Sequence, residues 1–565
     1  MLDEASLSAA QARLRAIYDP QRFRVAASRW AELLSVHLSN VQQRSTRVLN
    51  WAEPEANIAD AEKWLRDSPA VIPLESNPKG ERGWVLQETS NSESSGASAL
   101  ADAAGYDADT DRFAAIVQQM LDRGHNLHHP HYIGHQVPAP VPIAGLFDAV
   151  GAVTNQVMAI YEMGPWATAV ERALVNRLGE QIGWQRDSFA GLVTHGGSLG
   201  NLTALLTARN VMLGRSWEDG VGFESDANRS PVFQTGASNS LTEDDNVQRL
   251  DGLKNRPTMI VQADAHYSVA RAAGIIGLGT KQVLRAALND HRQLDPQRLD
   301  EQITELKTQG HPVVAVSACA CATPIGAFDP LRDVASVCRK HGVWMHVDAA
   351  HGGAALMSRR YRHLLDGVEQ ADSVVWDAHK MMFVPALCAF VLYRDKKHRF
   401  ETFRQDAPYL FDPSAPGMAE YDSGMLTLEC TKRAAAYGLW GTWSLFGESL
   451  FEDLVDVTFD LARDFYNKLF AAEDFVPLHE PQCNIVAFRH IPAAMKDAPP
   501  ETLGDFQREL RRRVIESGKF YIVQTNLGGC GALRVTIINP LTTADDLEEL
   551  LATLREVGAE LLTKR

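Results

Sequence analysis

The hydrophobic positions change their period twice along this chain. Up to about Pro69 they recur three and four residues apart, in LSAAQARLRAIY, RVAASRWAELLSVHLSNVQQ and IADAEKWLRD, which predicts amphipathic helices. Farther on, short apolar runs alternate with helical stretches. PTMIVQAD, HPVVAVSACA, VWMHVDAA, SVVWDAH and ALCAFVLY predict strands, and SVARAAGIIG and DPLRDVASVCRKHG predict helices between them. Strands without a polar face need helices on both sides of their sheet, so this is an α/β core with parallel or mixed strands. After about Phe400 longer helices take over, LFEDLVDVTFDLARDFYNKLF, TLGDFQRELRRRVIESG and the closing DDLEELLATLREVGAELL. With the β runs NIVAFRHI and ALRVTIINP they predict a smaller α+β domain. The expected organisation is an N-terminal helical segment with a linker over 1–125, a large domain over 126–400 and a small domain over 401–565. Two stretches rich in small polar residues interrupt the patterning, at 90–111 and 224–246; the first reads as a linker, the second as a surface insertion.

Composition narrows the class without naming it. A chain of 565 residues is too long for one core, and 45% hydrophobic with 22% charged residues is ordinary for a soluble globular protein. The net charge of −16 argues against general nucleic-acid binding and against a polybasic membrane surface. MLDEASLSAAQARLRAIYD lacks the order of a signal peptide, and no run is long and apolar enough to cross a bilayer. Seven cysteines make no disulfide framework, and the one close pair, Cys319 and Cys321, finds no further ligands at metal-binding spacing. The expected location is a reducing cytoplasm, and no metal is expected.

Four polar clusters sit at the ends of strands, where open α/β sheets bind ligands. In THGGSLGNLTALL, Gly196 and Gly197 permit a tight turn and Ser198 offers a hydroxyl at the start of a helix, which suits a phosphate. A plain helix cap reads the same way. In ADAHYSVARAAG, His266 follows a strand and opens a helix, placed either to lie over a flat ligand or simply to cap. In HVDAAHGG, Asp348 ends an apolar strand and needs a cationic or N–H partner, while the small Ala349 and Ala350 leave room for something planar. In SVVWDAHKMMFVPALCAF, Lys380 lies between two apolar runs, where an unpaired ammonium is costly and a lysine deprotonates, pairs or reacts. Phosphate cradle, stacking ring, carboxylate and buried lysine together suit one cofactor, pyridoxal phosphate. Its aldehyde needs a lysine, and its ring nitrogen needs an acidic partner to remain protonated.

The segment HVDAAHGGAALMSRRYRHLLDGVEQADSVVWDAHKMMFVPALCAF closely resembles the core of the group II pyridoxal-phosphate-dependent decarboxylases, and within them the glutamate and cysteine-sulfinate branch. The resemblance runs from about Asn126 to the C-terminus. It implies a fold-type-I, aspartate-aminotransferase-like large domain with a mixed seven-stranded sheet, a small C-terminal domain, and a homodimer with its active site at the subunit interface. By position it makes Lys380 the Schiff-base lysine, Asp348 the partner of the ring nitrogen and His266 the stacking ring. Gly197 and Ser198 match the phosphate turn, with His379 beside the phosphate; Thr323 and Ala350 match positions next to the cofactor. Arg534, in LRVTIINP, matches the arginine that holds a substrate carboxylate. Tyr409, in QDAPYLFD, matches the loop tyrosine that protonates the carbanion. Without the resemblance, Arg534 reads as a surface strand residue and Tyr409 as a packed ring.

Two departures bear on the substrate. In HHPHYIGHQVPAPVPIAG, His135 and Val137 stand where glutamate decarboxylases typically place Gln and Ser, and His135 becomes the candidate substrate contact. DAHK replaces the commoner NPHK, so Asp377 brings a second carboxylate toward the site. The function expected is a pyridoxal-phosphate-dependent L-amino-acid α-decarboxylase acting on glutamate, aspartate or cysteine sulfinate. The alternatives are 2,4-diaminobutyrate or an aromatic amino acid as substrate, or another pyridoxal-phosphate-dependent lyase reaction; a fold kept without catalysis is a further alternative.

Overall fold

A computed structural model describes residues 20–50, 56, 60, 107–218, 220–221, 256–403 and 421–563. The expected helices LSAAQARLRAIY and IADAEKWLRD fall almost wholly outside these residues. Tyr409 and the stretch 224–246 lie outside them, as does 90–111 apart from its last five positions. The chain forms two compact units, residues 1–132 with 514–521, and residues 133–513 with 522–565.

In the first unit, α1 (Pro20–Gln42) and α2 (Asp107–Arg123) pack together and bury Val41, Ala114 and Val117. The amphipathic spacing of RVAASRWAELLSVHLSNVQQ gives α1 its one apolar face.

The second unit is built on a seven-stranded sheet. Its strands are β1 (Ala190–Thr194), β2 (Thr258–Gln262), β3 (Val283–Ala286), β4 (Val313–Cys319), β5 (Trp344–Asp348), β6 (Ser373–Asp377) and β7 (Ala389–Tyr393). They lie in the order β1-β7-β6-β5-β4-β2-β3. Pairs from β6 through β5, β4 and β2 to β3 are parallel; β7 runs antiparallel between β6 and β1. The sheet is thus mixed, as the doubly apolar runs predict, and every residue of β1, β2, β4, β5, β6 and β7 is buried. The helices of this unit are α3 (Pro142–Val153), α4 (Pro165–Ile182), α5 (Gly197–Leu213), α6 (Tyr267–Ile275), α7 (Pro296–Thr308) and α8 (Leu331–His341); α4, α5, α7 and α8 pack on the sheet, and α6 packs on α5. α5 packs across the middle of the sheet, against β1 and β4 through β7.

Two of these strands escape the sequence pattern. β1 is a short AGLVT, and β3 is four residues of alternating exposure. The strand predicted over HPVVAVSACA ends one residue early. β4 stops at Cys319, and Cys321 takes a left-handed φ of 81° that turns the chain out of the sheet. Its sulfur lies 3.6 Å from that of Cys483.

After α9 (Tyr437–Phe446) and α10 (Ser449–Ala471) comes a four-stranded antiparallel sheet. Its members are β8 (Phe475–Pro477), β9 (Ile485–His490), β10 (Val523–Leu527) and β11 (Cys530–Thr536), in the order β8-β9-β11-β10. α10 and the closing α12 (Ala544–Thr563), which follows α11 (Pro500–Ser517), pack against β9. β11 is central and wholly buried, so Arg534 on it is an interior residue, not the surface strand residue its local sequence allows.

Candidate active site

The parallel strands bring their carboxyl ends to one edge of the sheet, and β1, reversed twice through β7, ends there too. A cavity of about 320 Å³ opens at that edge. Gly197, Ser198, His266, Thr323, Asp348, Ala350, His379 and Lys380 all line it. Arg534 stands just behind the wall, where its Nη1 donates to the carbonyl of Thr323 at 2.6 Å. His135 is exposed, next to the lining residue Gln136.

Lys380 sits on the hairpin connecting β6 to β7. Its backbone N–H donates to the Asp377 carbonyl (3.2 Å), and its Nζ lies 3.3 Å from Asp377 Oδ2. Burial pushes the lysine pKa down, but Asp377 and Asp348 outweigh it and leave the pKa raised. His379 is pinned across the same hairpin: Nδ1 lies 2.8 Å from the Cys388 carbonyl, and Nε2 lies 3.5 Å from Asp377 Oδ2.

Asp348 is buried at the end of β5 and accepts through both oxygens. Oδ1 takes the N–H of Ala350 at 3.1 Å, and Oδ2 takes Asn201 Nδ2 at 2.9 Å. A chain of polar contacts continues behind Asn201. Its Oδ1 meets His346 Nε2 at 3.0 Å, His346 Nδ1 meets Ser373 Oγ at 2.9 Å, and Ser373 Oγ accepts from the Trp344 indole at 2.9 Å. Burial drives the His346 pKa down to about 4, against the pull of Asp348, so the ring is neutral in this chain. Asn201 Nδ2 also donates to Ser268 Oγ (3.0 Å), which lies 2.8 Å from His266 Nδ1. The Ser268 N–H points at the same Nδ1 (3.3 Å), so both contacts fix the plane of the His266 ring. Burial lowers the pKa of His266; the nearby carboxylates only partly offset it.

The turn after β1 has the shape an anion needs. Gly196 takes a φ of 109°, which an L side chain rarely adopts, and α5 begins at Gly197 without a side-chain cap. A Cβ on Gly197 would stand 2.7 Å from the Asp377 carboxylate, so any larger residue would have to displace that side chain. The strand feeding this turn is braced by a buried ion pair. Lys432 Nζ lies 2.7 Å from both Glu171 oxygens and 2.8 Å from the carbonyl of Val193. His195, in the turn itself, holds Glu429 through Nδ1 at 3.1 Å; its Nε2 is buried and has no partner.

Arg534 is 6% exposed, and burial lowers its pKa. Its Nε is buried and makes no hydrogen bond. His135 has its pKa lowered by partial burial first and then by the charges of Arg534 and Arg511.

Asn201, His346, His195 and Lys432 were not among the residues expected from sequence. His346 carried a signal: it is a polar residue in an apolar strand, two positions before Asp348 and therefore on the same face. Asn201 likewise interrupts the apolar face of α5, one turn after Gly197.

Comparison with known proteins decides the family. Residues 232–491 match the family described as the pyridoxal-dependent decarboxylase conserved domain. An acidic amino acid decarboxylase, GADL1, from Mus musculus is 30% identical over 410 residues, spanning 71% of this chain and 68% of the relative. The chain belongs to the pyridoxal-dependent decarboxylase family. It is a pyridoxal-phosphate-dependent amino-acid decarboxylase, a carboxy-lyase. An L-2,4-diaminobutyrate decarboxylase from Acinetobacter baumannii is 28% identical over 441 residues, 77% of this chain and 81% of the relative. The crystal structure of mouse CSAD in apo form superposes with a TM-score of 0.74 at 24% identity, covering 95% of this chain and 99% of that one. That likeness bears out the fold-type-I α/β architecture.

The cavity of this decarboxylase fits its cofactor. It offers an amine, a carboxylate positioned by two N–H donors, an imidazole of fixed orientation, and a glycine turn at a helix start. Among the described residues no group of three or more His, Cys, Asp or Glu is placed to hold a metal ion, and no helix is long and apolar enough to cross a membrane.

Proposed function

We propose that this decarboxylase removes the α-carboxylate of an acidic amino acid: glutamate, aspartate or cysteine sulfinate. Arg534, a buried guanidinium whose Nε has no hydrogen-bond partner, supplies the grip for the α-carboxylate that every amino-acid substrate shares. A desolvated cation of this kind calls for an anion, and the planar fork of arginine suits a carboxylate. The observation that carries the acidic class is a second positive charge, Arg511, which acts on His135 beside the cavity and favours a substrate with a second acidic group. GADL1, the mouse relative, is named for acidic amino acids.

The roles follow from position. Lys380 would take the cofactor aldehyde, and Asp348 would hold a proton on its ring nitrogen. His266 would supply the stacking ring, with Ala350 and Thr323 beside the cofactor. Gly197, Ser198 and His379 would hold its phosphate. The cofactor, when bound, supplies the electron sink for loss of carbon dioxide. Arg534 orients the scissile carboxylate, His135 borders the substrate side chain, and Tyr409 delivers the proton to the α-carbon.

Residues 126–400 then act as the cofactor-binding domain and 401–565 as the small domain. We further propose a cytoplasmic homodimer with the active site at its interface. The dimer is supported by an apolar surface that includes Leu146 and Val150 on α3, Trp166 on α4, and Leu445 and Phe446 on α9, each 48–60% exposed.

Carbon dioxide release from a panel of acidic, basic and aromatic amino acids tests the reading. Turnover of acidic substrates at least about tenfold above the others is expected, a difference of about 1.4 kcal/mol in activation free energy. Preference for 2,4-diaminobutyrate or an aromatic substrate would overturn the substrate class. Consumption of an amino acid without carbon dioxide release would overturn decarboxylation.

A further inference from the structure

We propose that Asp377 limits how tightly this chain holds its cofactor, by setting a buried carboxylate against the turn that receives the phosphate. The proposal rests on reading Lys380 and the Gly196–Ser198 turn as cofactor-binding groups.

Asp377 is the last residue of β6 and is 2% exposed. Its two oxygens lie 2.7 and 2.8 Å from where a Cβ of Gly197 would be, so the carboxylate packs directly on the first residue of α5. α5 is a 17-residue helix with no side-chain cap. The carboxylate therefore lies beside the first turn of the helix, close to where the helix start would receive an anion. Oδ2 is shared between Lys380 Nζ at 3.3 Å and His379 Nε2 at 3.5 Å. Oδ1 is buried and has no hydrogen-bond partner.

Asp377 and Lys380 form an internal ion pair at this edge of the sheet. A phosphate received by the Gly196–Ser198 turn would bring a second anion close to the Asp377 carboxylate. Like charges in a half-buried site repel appreciably. Both Asp377 oxygens are acceptors only, so neither can donate to a phosphate oxygen while the acid is ionised. An amide of the same shape removes the charge and supplies an N–H donor.

The test is titration of the apoprotein with pyridoxal phosphate and, separately, with pyridoxal, which lacks the phosphate, followed by absorbance and equilibrium dialysis. Asp377→Asn is expected to tighten pyridoxal phosphate about tenfold or more, while pyridoxal binds no better than to wild type. Asp377→Ser removes the charge with a smaller side chain and should shift pyridoxal phosphate in the same direction; it stands in if the Asn variant does not fold. An equal gain for both ligands would locate the effect at Lys380 and overturn the proposal. Unchanged or weaker binding of pyridoxal phosphate would overturn it too. Wild type that takes up no pyridoxal phosphate would defeat the cofactor assignments themselves, an outcome distinct from normal uptake without a gain in the variants.

Discussion

Asn201 Nδ2 donates to Asp348 Oδ2 across 2.9 Å, and the carboxylate sets the direction of the hydrogen bonds behind it. A carboxylate only accepts, so the amide nitrogen faces Asp348 and Asn201 Oδ1 accepts from His346 Nε2. The neutral His346 ring then offers Nδ1 as the acceptor for the Ser373 hydroxyl, whose oxygen also accepts from the Trp344 indole. The amide cannot flip without breaking this order.

That polarity gives the first prediction. Asn201→Asp sets two carboxylates face to face in the interior, and the carboxylate meant for the cofactor ring loses one of its two donors. Pyridoxal phosphate should bind about 100-fold more weakly, the equivalent of about 3 kcal/mol, with the apoprotein still folded. Dialysis against the cofactor with circular dichroism of the apoprotein checks this. Affinity within threefold of wild type would count against the relay.

Lys380→Ala is expected to give a folded protein with no covalent cofactor and no turnover. Borohydride reduction followed by peptide mapping should label the peptide holding residue 380 in wild type and nothing in the variant. Decarboxylation at the wild-type rate by the variant would remove Lys380 from the chemistry.

At Arg534 the two-point carboxylate grip should matter more than the charge. Arg534→Lys keeps a cation but loses the planar fork, so kcat/KM should fall about 100-fold with little change in cofactor affinity. Because the residue is buried, thermal unfolding of the loaded variant is the control for simple misfolding. Equal loss of cofactor and of catalysis would point to a packing role instead.

Acid stability follows from His346, whose ring is neutral when folded, with a pKa of about 4, and ordinary, near 6.5, when unfolded. Above pH 6.5 neither state is protonated there. As pH falls from 6.5 to 4 the unfolded chain takes the proton first, so stability drops by up to about 3 kcal/mol from this residue. Asp329, pushed up to about 7 by burial, works in the opposite sense, its contribution being lost as pH rises. The difference between wild type and His346→Gln isolates the histidine. Urea midpoints of the apoprotein between pH 7 and 4.5 should fall less steeply for the variant.

Much of this was legible in the chain because strand ends are where both sequence pattern and chemistry concentrate. Asp348 closes VWMHVD and Asp377 closes SVVWD, with Lys380 three residues on, so polar residues breaking apolar runs mark the edge of the sheet. Arg534 was different: its strand looked ordinary, and only pairing on both sides with β9 and β10 shows it to be interior. β1 went unread because five residues that include Ala190 and Gly191 give too little apolar signal. Its identity comes from pairing with β7. His195 and Lys432 act through partners more than two hundred residues away, Glu429 and Glu171, which local spacing does not reveal.

The pairing of β1 with β7 also dictates when the cavity can be assembled. Thr194 lies opposite Ala389, so the turn that begins two residues later has no sheet to lean on until the chain has been made past Tyr393. The mouth of the cleft thus depends on a pairing between segments some two hundred residues apart, the non-local kind of contact whose loop-closure entropy slows folding.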